Sequence, residues 1–568
     1  MNARAGVRLS IAHGGPLAQE PGLGALTLPG YLREIADRFT DREALVLRRP
    51  QRIERWSYAE LWARSMEVAR ALVALGVGKD TRVGILMANR PQWLSSFFGT
   101  MLAGGVAVGL STFSTMNELD YLLKVSSVGV LLFESNVVKK DFVAMLGDLE
   151  PKIATTSAGP LGSTRFPFLR HLVVLESGRS GGAIESWDQF TARGRAVSPA
   201  LIEATADSVR PSDAGAVFFS SGSTARPKGV LSAQRAISIQ LWRFRRMYNV
   251  SGDVRTWTPN GFFWSGNFAM VLASTLSNGG SIVLQPTFVA REALELMEAE
   301  RVNLPIAWPH QAKQLEEAPN WKDVDLSALR FVDPASPLAH HPSFVSASWE
   351  EPRRSYGSTE TFTISASFPA GTPQDIGGDS TGEVLPGNTI KIVDPISGET
   401  LPLGERGEIA VKGPTLMLGY IGVPLDETLD EDGFYRSGDG GYLDERGRVY
   451  FEGRLTTVIK TGGANVSPLE IDATLESLPG VKAAATVGVP HETLGEMVVS
   501  CVVLAEGATL DGAAIQTFLK QRLASYKVPR RVLFLHEDEI ALTGSAKIKS
   551  GELRKLAAQR LAGELPAA

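Results

Sequence analysis

One stretch constrains this chain more than any other: an apolar run at residues 214–219 followed by Ser220-Ser221-Gly222-Ser223-Thr224-Ala225-Arg226-Pro227-Lys228-Gly229. The apolar run predicts a buried strand that ends where the loop begins. A strand buried on both faces needs covering layers on both sides. The loop offers hydroxyls, backbone N–H groups that no bulky neighbour shields, and the cations Arg226 and Lys228. That inventory suits a polyphosphate, whose oxygens take hydrogen bonds and whose charge needs an offset. The Gly-x-x-x-x-Gly-Lys-Ser/Thr spacing of the common P-loop is absent. The same residues also suit a Ser/Gly surface turn, so the choice rests on the remainder of the chain.

At 568 residues the chain is too long for one core and predicts two to four domains. Its 44% apolar and 21% charged content is that of a globular protein with a large core. A net charge of −5 with no basic tract argues against nucleic acid as a partner. The single cysteine, Cys501, sits in an apolar run and predicts a core thiol in a reducing, cytoplasmic setting. Residues 91–117 carry no charge, but Gly104-Gly105 divides them, which predicts a buried helix (92–103) and a buried strand (106–110) rather than a membrane span.

Helical and apolar strand segments alternate through residues 32–332, with strands expected at 81–87, 130–133, 172–175, 280–284, 302–307 and 329–332. That alternation predicts layered α/β architecture with largely parallel strands. Residues 1–30 read as a loosely ordered N-terminal arm, and 165–206 as a looser connecting region. Near Gly382 the texture becomes short alternating runs split by Pro, Gly and Asp, as in a small antiparallel β unit. Past Gly453-Arg454 a compact strand-helix-strand tail follows. The expected organisation is the arm (1–30), a large α/β domain with its β unit (31–453) and a small α+β domain (454–568).

Five further motifs bear on chemistry. In Tyr356-Gly357-Ser358-Thr359-Glu360-Thr361, Gly357 lets the backbone pass close to a ligand, Thr359 offers a hydroxyl, and Glu360 is a hard oxygen ligand for magnesium. A carboxylate-capped turn explains the same letters. In Tyr435-Arg436-Ser437-Gly438-Asp439 a carboxylate after a Gly turn can accept both hydroxyls of a ribose, or simply close an Asx-turn. Gly453-Arg454, the run Lys460-Thr461-Gly462-Gly463-Ala464-Asn465 and Gly544-Ser545-Ala546-Lys547-Ile548-Lys549 complete the series.

These motifs, in this order over more than half of the chain, resemble the adenylate-forming superfamily of acyl-CoA synthetases, adenylation domains and beetle luciferases. The resemblance implies attack of a carboxylate on the α-phosphate of ATP, release of pyrophosphate, and capture of the acyl-adenylate by a thiol, usually coenzyme A. It implies that Ser220, Ser221, Gly222, Ser223, Thr224 and Lys228 hold the phosphates, with Thr224 and Glu360 at Mg2+. Tyr356 would stack on adenine among Gly357, Ser358 and Thr359, Asp439 would bind the ribose, and Arg454 would lie nearby. Lys547 would be the catalytic lysine, joined as catalytic residues by Glu360 and Thr224. The tail would turn about a hinge near Thr456, and Gly462 and Gly463 would line a coenzyme A tunnel. The acid pocket would draw on Phe262, Phe263, Trp264, Asn267 and Met270, whose bulk and lack of charge favour an aromatic, alicyclic or aliphatic acid.

The chain departs from the family pattern at Ala225, Gln234, Trp264, Asp333-Pro334, Ala464 and Ala546, none of which removes an essential charge. Two alternatives stay beside the acid–CoA ligase reading: an enzyme that loads a carrier protein in trans, and a nucleotide-binding relative with weak catalysis. A homodimer is left open.

Overall fold

The computed structural model describes residues 8–49, 52–157, 159–220, 226–345, 349–352, 354–455, 459–536, 539 and 550–564. Ser221, Gly222, Ser223, Thr224, Ala225, Thr456, Ala546 and Lys547 therefore lie outside the described residues.

The expected buried strand, Ala214–Ser220, is part of an eight-stranded sheet. Across that sheet the order is Ile184–Ser186, His171–Val174, Val130–Phe133, Arg82–Leu86, Val106–Gly109, Ala214–Ser220, Lys228–Ala233 and Gly419–Tyr420. The first six are parallel, and the hairpin from Ala214–Ser220 to Lys228–Ala233 turns the sheet antiparallel. Helices cover the parallel strands, as their apolar composition requires. Pro91–Leu102, buried along its length, packs beside Tyr58–Ala74, whose start is fixed by a Ser57–Glu60 capping box.

A second sheet has Leu304–Pro305, Arg255–Thr258, Ser281–Leu284 and Glu43–Arg49 in parallel order, with Arg52–Ser57 antiparallel at its edge. Residues 329–332 do not join it. The N–H groups of Arg330 and Phe331 both donate to the single carbonyl of Asn303, at 3.0 and 2.8 Å, so no ladder forms.

The antiparallel unit expected near Gly382 is a five-stranded sheet ordered Ile11–His13, Thr389–Val393, Gly407–Lys412, Tyr435–Leu443 and Val449–Arg454. Its edge strand corrects the reading of a loose arm. Ile11–His13 pairs with Thr389–Val393, and Glu20 forms a buried ion pair with Arg243 at 2.7 Å. The stretch 165–206 is also more ordered than expected: it holds two strands of the large sheet and the helices Trp187–Arg193 and Pro199–Ser208. A Ser186–Gln189 capping box starts the first of these helices.

Beyond Arg454 a separate sheet runs Ala464–Val466, Ile459–Thr461, Gly495–Leu504 and Val481–His491, with Arg531–Phe534 parallel to Gly495–Leu504. Helices Pro468–Glu476 and Gly512–Lys520 cover one face around Ile471, Leu475, Ile515 and Leu519. Cys501 is fully buried on the other face among Val499, Val503 and Leu553, and burial pushes its thiol up to about 12. Among the described residues no helix is long and apolar enough to cross a membrane.

Candidate active site

The site gathers where the strand Ala214–Ser220 ends. Ser220 Oγ donates to Glu360 Oε1 at 3.2 Å, and the same carboxylate oxygen accepts from the Tyr420 hydroxyl at 2.8 Å. Tyr420 lies 3.0 Å from the Tyr435 hydroxyl. The Lys228 ammonium, directly across the hairpin from Ser220, sits 4.7 Å above the Tyr420 ring. Buried Glu360 thus accepts from two hydroxyl donors, one of them on the tyrosine whose ring the Lys228 ammonium covers. Burial, then the Glu360 charge, pushes the Tyr420 and Tyr435 hydroxyls well above the usual range, so both remain donors. A hard, fixed carboxylate of this kind suits a divalent cation.

The turn carrying Glu360 is tightly built. A side chain at Gly357 would meet the Thr363 carbonyl at 1.6 Å, so only glycine fits there. Phe362 and Thr363 both take positive φ, +42° and +83°, a strain of roughly 1–3 kcal/mol each. Thr363 N–H donates to Ser358 O at 2.8 Å and holds the loop in that shape. Thr359 is thereby brought within 3.3 Å of the Ser265 hydroxyl.

Asp439 and Arg454 face each other across adjacent strands, Tyr435–Leu443 and Val449–Arg454, with Arg454 Nε 3.1 Å from Asp439 Oδ1. The Tyr356 hydroxyl donates to Asp439 Oδ2 at 3.0 Å. Burial raises the Asp439 carboxyl above the usual range, while Arg454 and Tyr356 pull it back. The Tyr356 ring is only 5% exposed and packs by Phe451 with Ile390 and Ile409. Stacking on adenine would require it to leave that packing, and its present work is to hold Asp439.

A cavity of about 510 Å³ opens beside this cluster. Its lining includes Ser220, Ser358 and Thr359, the side chains of Trp264, Asn267, Met270 and Tyr248, and Trp308 and His310 with Gly462 and Gly463 of the C-terminal unit. Three of the expected acid-pocket residues are therefore on its wall. Phe263 instead lines a small adjoining hollow with Ser220 and Tyr526. Phe262 is fully buried against Trp93 in the main core, because its N–H is tied to Asn89 Oδ1 at 3.1 Å and turns the side chain inward.

The small C-terminal sheet completes the wall. Gly463, at φ +80°, passes so close to the Trp308 ring that an added Cβ would lie 2.6 Å from it. Tyr526 meets Trp264 edge-on with ring centroids 5.6 Å apart. Burial, with Arg530 second, holds the His310 imidazole below the usual histidine range. Sequence reading missed Tyr420, Tyr435, Trp308, His310 and Gln311. Of these, only Tyr435 lay inside a motif singled out beforehand.

Comparison with known proteins gives the family. The family model described as AMP-binding enzyme matches residues 32–421, and the AMP-binding enzyme C-terminal domain matches residues 470–547. The feruloyl-CoA synthase of Amycolatopsis sp. is 31% identical over 512 residues, covering 88% of this chain and 93% of that protein. The indoleacetate–CoA ligase of Aromatoleum aromaticum is 30% identical, covering 89% of this chain and 94% of that one. The amide bond synthetase McbA from Marinactinospora thermotolerans has a similar structure, with TM-score 0.68, 26% identity and coverage of 93% and 99%. Matched over both its large and its small unit, the chain belongs to the AMP-binding enzyme family of the adenylate-forming superfamily.

Proposed function

We propose that this enzyme activates an apolar carboxylic acid with ATP and passes the acyl group to coenzyme A. One observation carries the reading. One cavity is lined both by Ser220 and Thr359, beside Glu360, and by Gly462 and Gly463 of the C-terminal unit. An acid lying in it would share that space with the phosphate-binding residues and with the glycine turn past which an acceptor would arrive.

In this reading a carboxylate oxygen attacks the α-phosphate, the bond to the pyrophosphate oxygen breaks, and an acyl-adenylate forms. The thiol sulfur then attacks the acyl carbon, its proton leaves, and AMP departs with the electron pair of the broken acyl–oxygen bond. Ser220 and Lys228 would meet the phosphates, Thr359 the α-phosphate, and Asp439 the ribose hydroxyls, steadied by Arg454 and Tyr356. Glu360 would hold Mg2+, whose charge offsets that of the phosphates. Family resemblance gives Lys547 the task of keeping two mutually repelling anions at attack distance. The wall formed by Trp264, Met270 and Tyr248 favours an aromatic or alicyclic acid, in keeping with the ferulate and indoleacetate named for two relatives.

A second reading, transfer to an amine, draws on the likeness to an amide bond synthetase. Product analysis separates them. Enzyme, ATP, Mg2+ and aromatic acids are incubated with coenzyme A or with a panel of amines. A thioester formed in preference to any amide supports the proposal, and amide with no thioester sinks it.

A further inference from the structure

His310 stands on the cavity wall where the two units meet. It is the second residue of the helix Pro309–Glu316, whose first turn is held by the Trp308 N–H donating to Gln311 Oε1 at 2.9 Å. The half-buried ring leans on the C-terminal unit: a Cβ added to Gly462, at φ +55°, would lie 3.3 Å from His310 Cε1 and 3.5 Å from Nδ1. The Trp308 indole packs against Gly463 in the same way. The junction at which an acceptor would arrive is therefore bordered by an imidazole and an indole.

The two ring nitrogens of His310 differ. Nδ1 is enclosed and has no hydrogen-bond partner among the described residues. A proton there would be a buried donor with nothing to accept it, a rarer and costlier state than a bare acceptor. The imidazolium, which carries a proton on both nitrogens, is disfavoured for the same reason. Burial, with the Arg530 charge second, adds to this by holding the ring below the usual histidine range. What remains is a neutral ring with its proton on Nε2. Nε2 is not enclosed, and no described residue accepts from it. In this form the accessible nitrogen is a hydrogen-bond donor and not a base. The acid presents an apolar body to Trp264, Met270 and Tyr248, whereas a pantetheine arm carries amide carbonyls along its length.

We infer that His310 is a specificity-determining residue for the acceptor, its Nε2–H donating to an amide carbonyl of a pantetheine arm that enters between the two units. This rests on the reading of thioester formation given above. It makes an amide-bearing thiol the acceptor class, and it gives a plain alkyl thiol or amine no such contact. Coenzyme A and a carrier protein supply the same arm, and the test separates them.

The test uses the full chain and reads binding by calorimetry, so it does not depend on turnover. The probes are coenzyme A, pantetheine, and adenosine 3′,5′-bisphosphate, which is the nucleotide end of coenzyme A without its arm. The variants are His310→Phe, which keeps a ring and removes the donor, and His310→Gln, which keeps a donor at similar reach. Circular dichroism melts select variants that fold like the wild type. His310→Phe should bind pantetheine and coenzyme A about tenfold more weakly, the loss of one hydrogen bond, and the bisphosphate as before. His310→Gln should recover most of that affinity. A nitrogen NMR spectrum of histidine-labelled wild type needs no variant: pantetheine should move one protonated Nε2 resonance, and the bisphosphate none. Equal affinity for the arm-bearing probes in wild type and folded His310→Phe overturns the inference, as does a wild type that binds neither, or a spectrum in which pantetheine moves no histidine. His310-dependent binding of pantetheine without binding of coenzyme A keeps the contact and assigns the arm to a carrier protein. Coenzyme A that binds in this way but never yields a thioester would overturn the ligase reading and leave the contact standing.

Discussion

Lys527 Nζ lies 3.0 Å from Glu118 Oε1, joining the C-terminal unit to the helix Met116–Ser126 of the large unit. Lys527 is 2% exposed and also reaches Glu470 Oε1 at 2.9 Å. Glu118 does double duty: its other oxygen accepts from Thr115 N–H at 2.9 Å in the capping box of its own helix. Burial opposes the Lys527 charge, but Tyr526, Glu470 and Glu118 outweigh it and hold the ammonium above the usual lysine range. Breaking a buried pair of this kind costs about 3–5 kcal/mol.

Glu118→Gln should loosen this seam without unfolding either unit. Hydrogen exchange of the amides at residues 522–527 is expected to speed up. Thioester formation should fall about tenfold, the equivalent of roughly 1.4 kcal/mol, with adenylate formation kept within a few-fold. Equal losses in both half-reactions would show that the contact does not serve the acceptor step.

Asp439→Ala should weaken ATP binding by at least tenfold, since a charged hydrogen-bond acceptor contributes about 1.5–3 kcal/mol, while acid binding is spared. The carboxylate must be ionised to accept ribose hydroxyls. Its burial-raised pKa therefore predicts that ATP affinity falls as pH drops through a point above the usual aspartate range. The stability term has the opposite sign: a carboxyl that prefers its proton in the native state loses stabilisation as pH rises. Titrating ATP binding against pH in the wild type and in Asp439→Asn checks the first, thermal melts of the two across the same pH range check the second, and an identical binding profile would remove Asp439 from the nucleotide site.

Asp472, on the helix Pro468–Glu476, is raised by burial to about 7 despite hydrogen bonds from Thr486. Its penalty is absent below its unfolded value near 3.8 and grows until pH passes about 7. Asp472→Asn should therefore raise the melting temperature at pH 8 and change it little at pH 4.5. A Tm gain that is the same at both values would contradict the assignment.

Lys547→Ala should lower adenylate formation by roughly 10² or more, as loss of a transition-state electrostatic contact does. Thiolysis of a supplied acyl-adenylate should survive. Equal loss in both steps would remove the role proposed for Lys547.

The parts of the site legible in the sequence are those where one short segment carries both the chemistry and its geometry. Glu360 sits on the tight turn that Gly357 permits, and Asp439, expected after a Gly turn, lies instead within a strand, paired with Arg454. What stayed hidden depends on contacts between distant segments. Tyr420 earns its place through Glu360, 60 residues away, and nothing local marks it. Trp308 matters because Gly463 packs on its ring. Phe262, Phe263 and Trp264 are alike in composition, yet one Asn89 hydrogen bond sends the first into the core and leaves the third on the cavity wall. The arm at residues 8–30 looked loose because its anchors, Thr389–Val393 and Arg243, lie hundreds of residues downstream.

The central claim is that an acid and ATP react before any acceptor takes part. Its most direct test is to mix the enzyme, ATP, Mg2+ and a panel of aromatic and alicyclic acids without coenzyme A, then quench and weigh the products by mass spectrometry. The account predicts an acyl-adenylate at up to one equivalent of enzyme, matched by pyrophosphate, for at least one acid class. Formation of thioester only when coenzyme A is present from the start, with no adenylate or pyrophosphate in its absence, would contradict it.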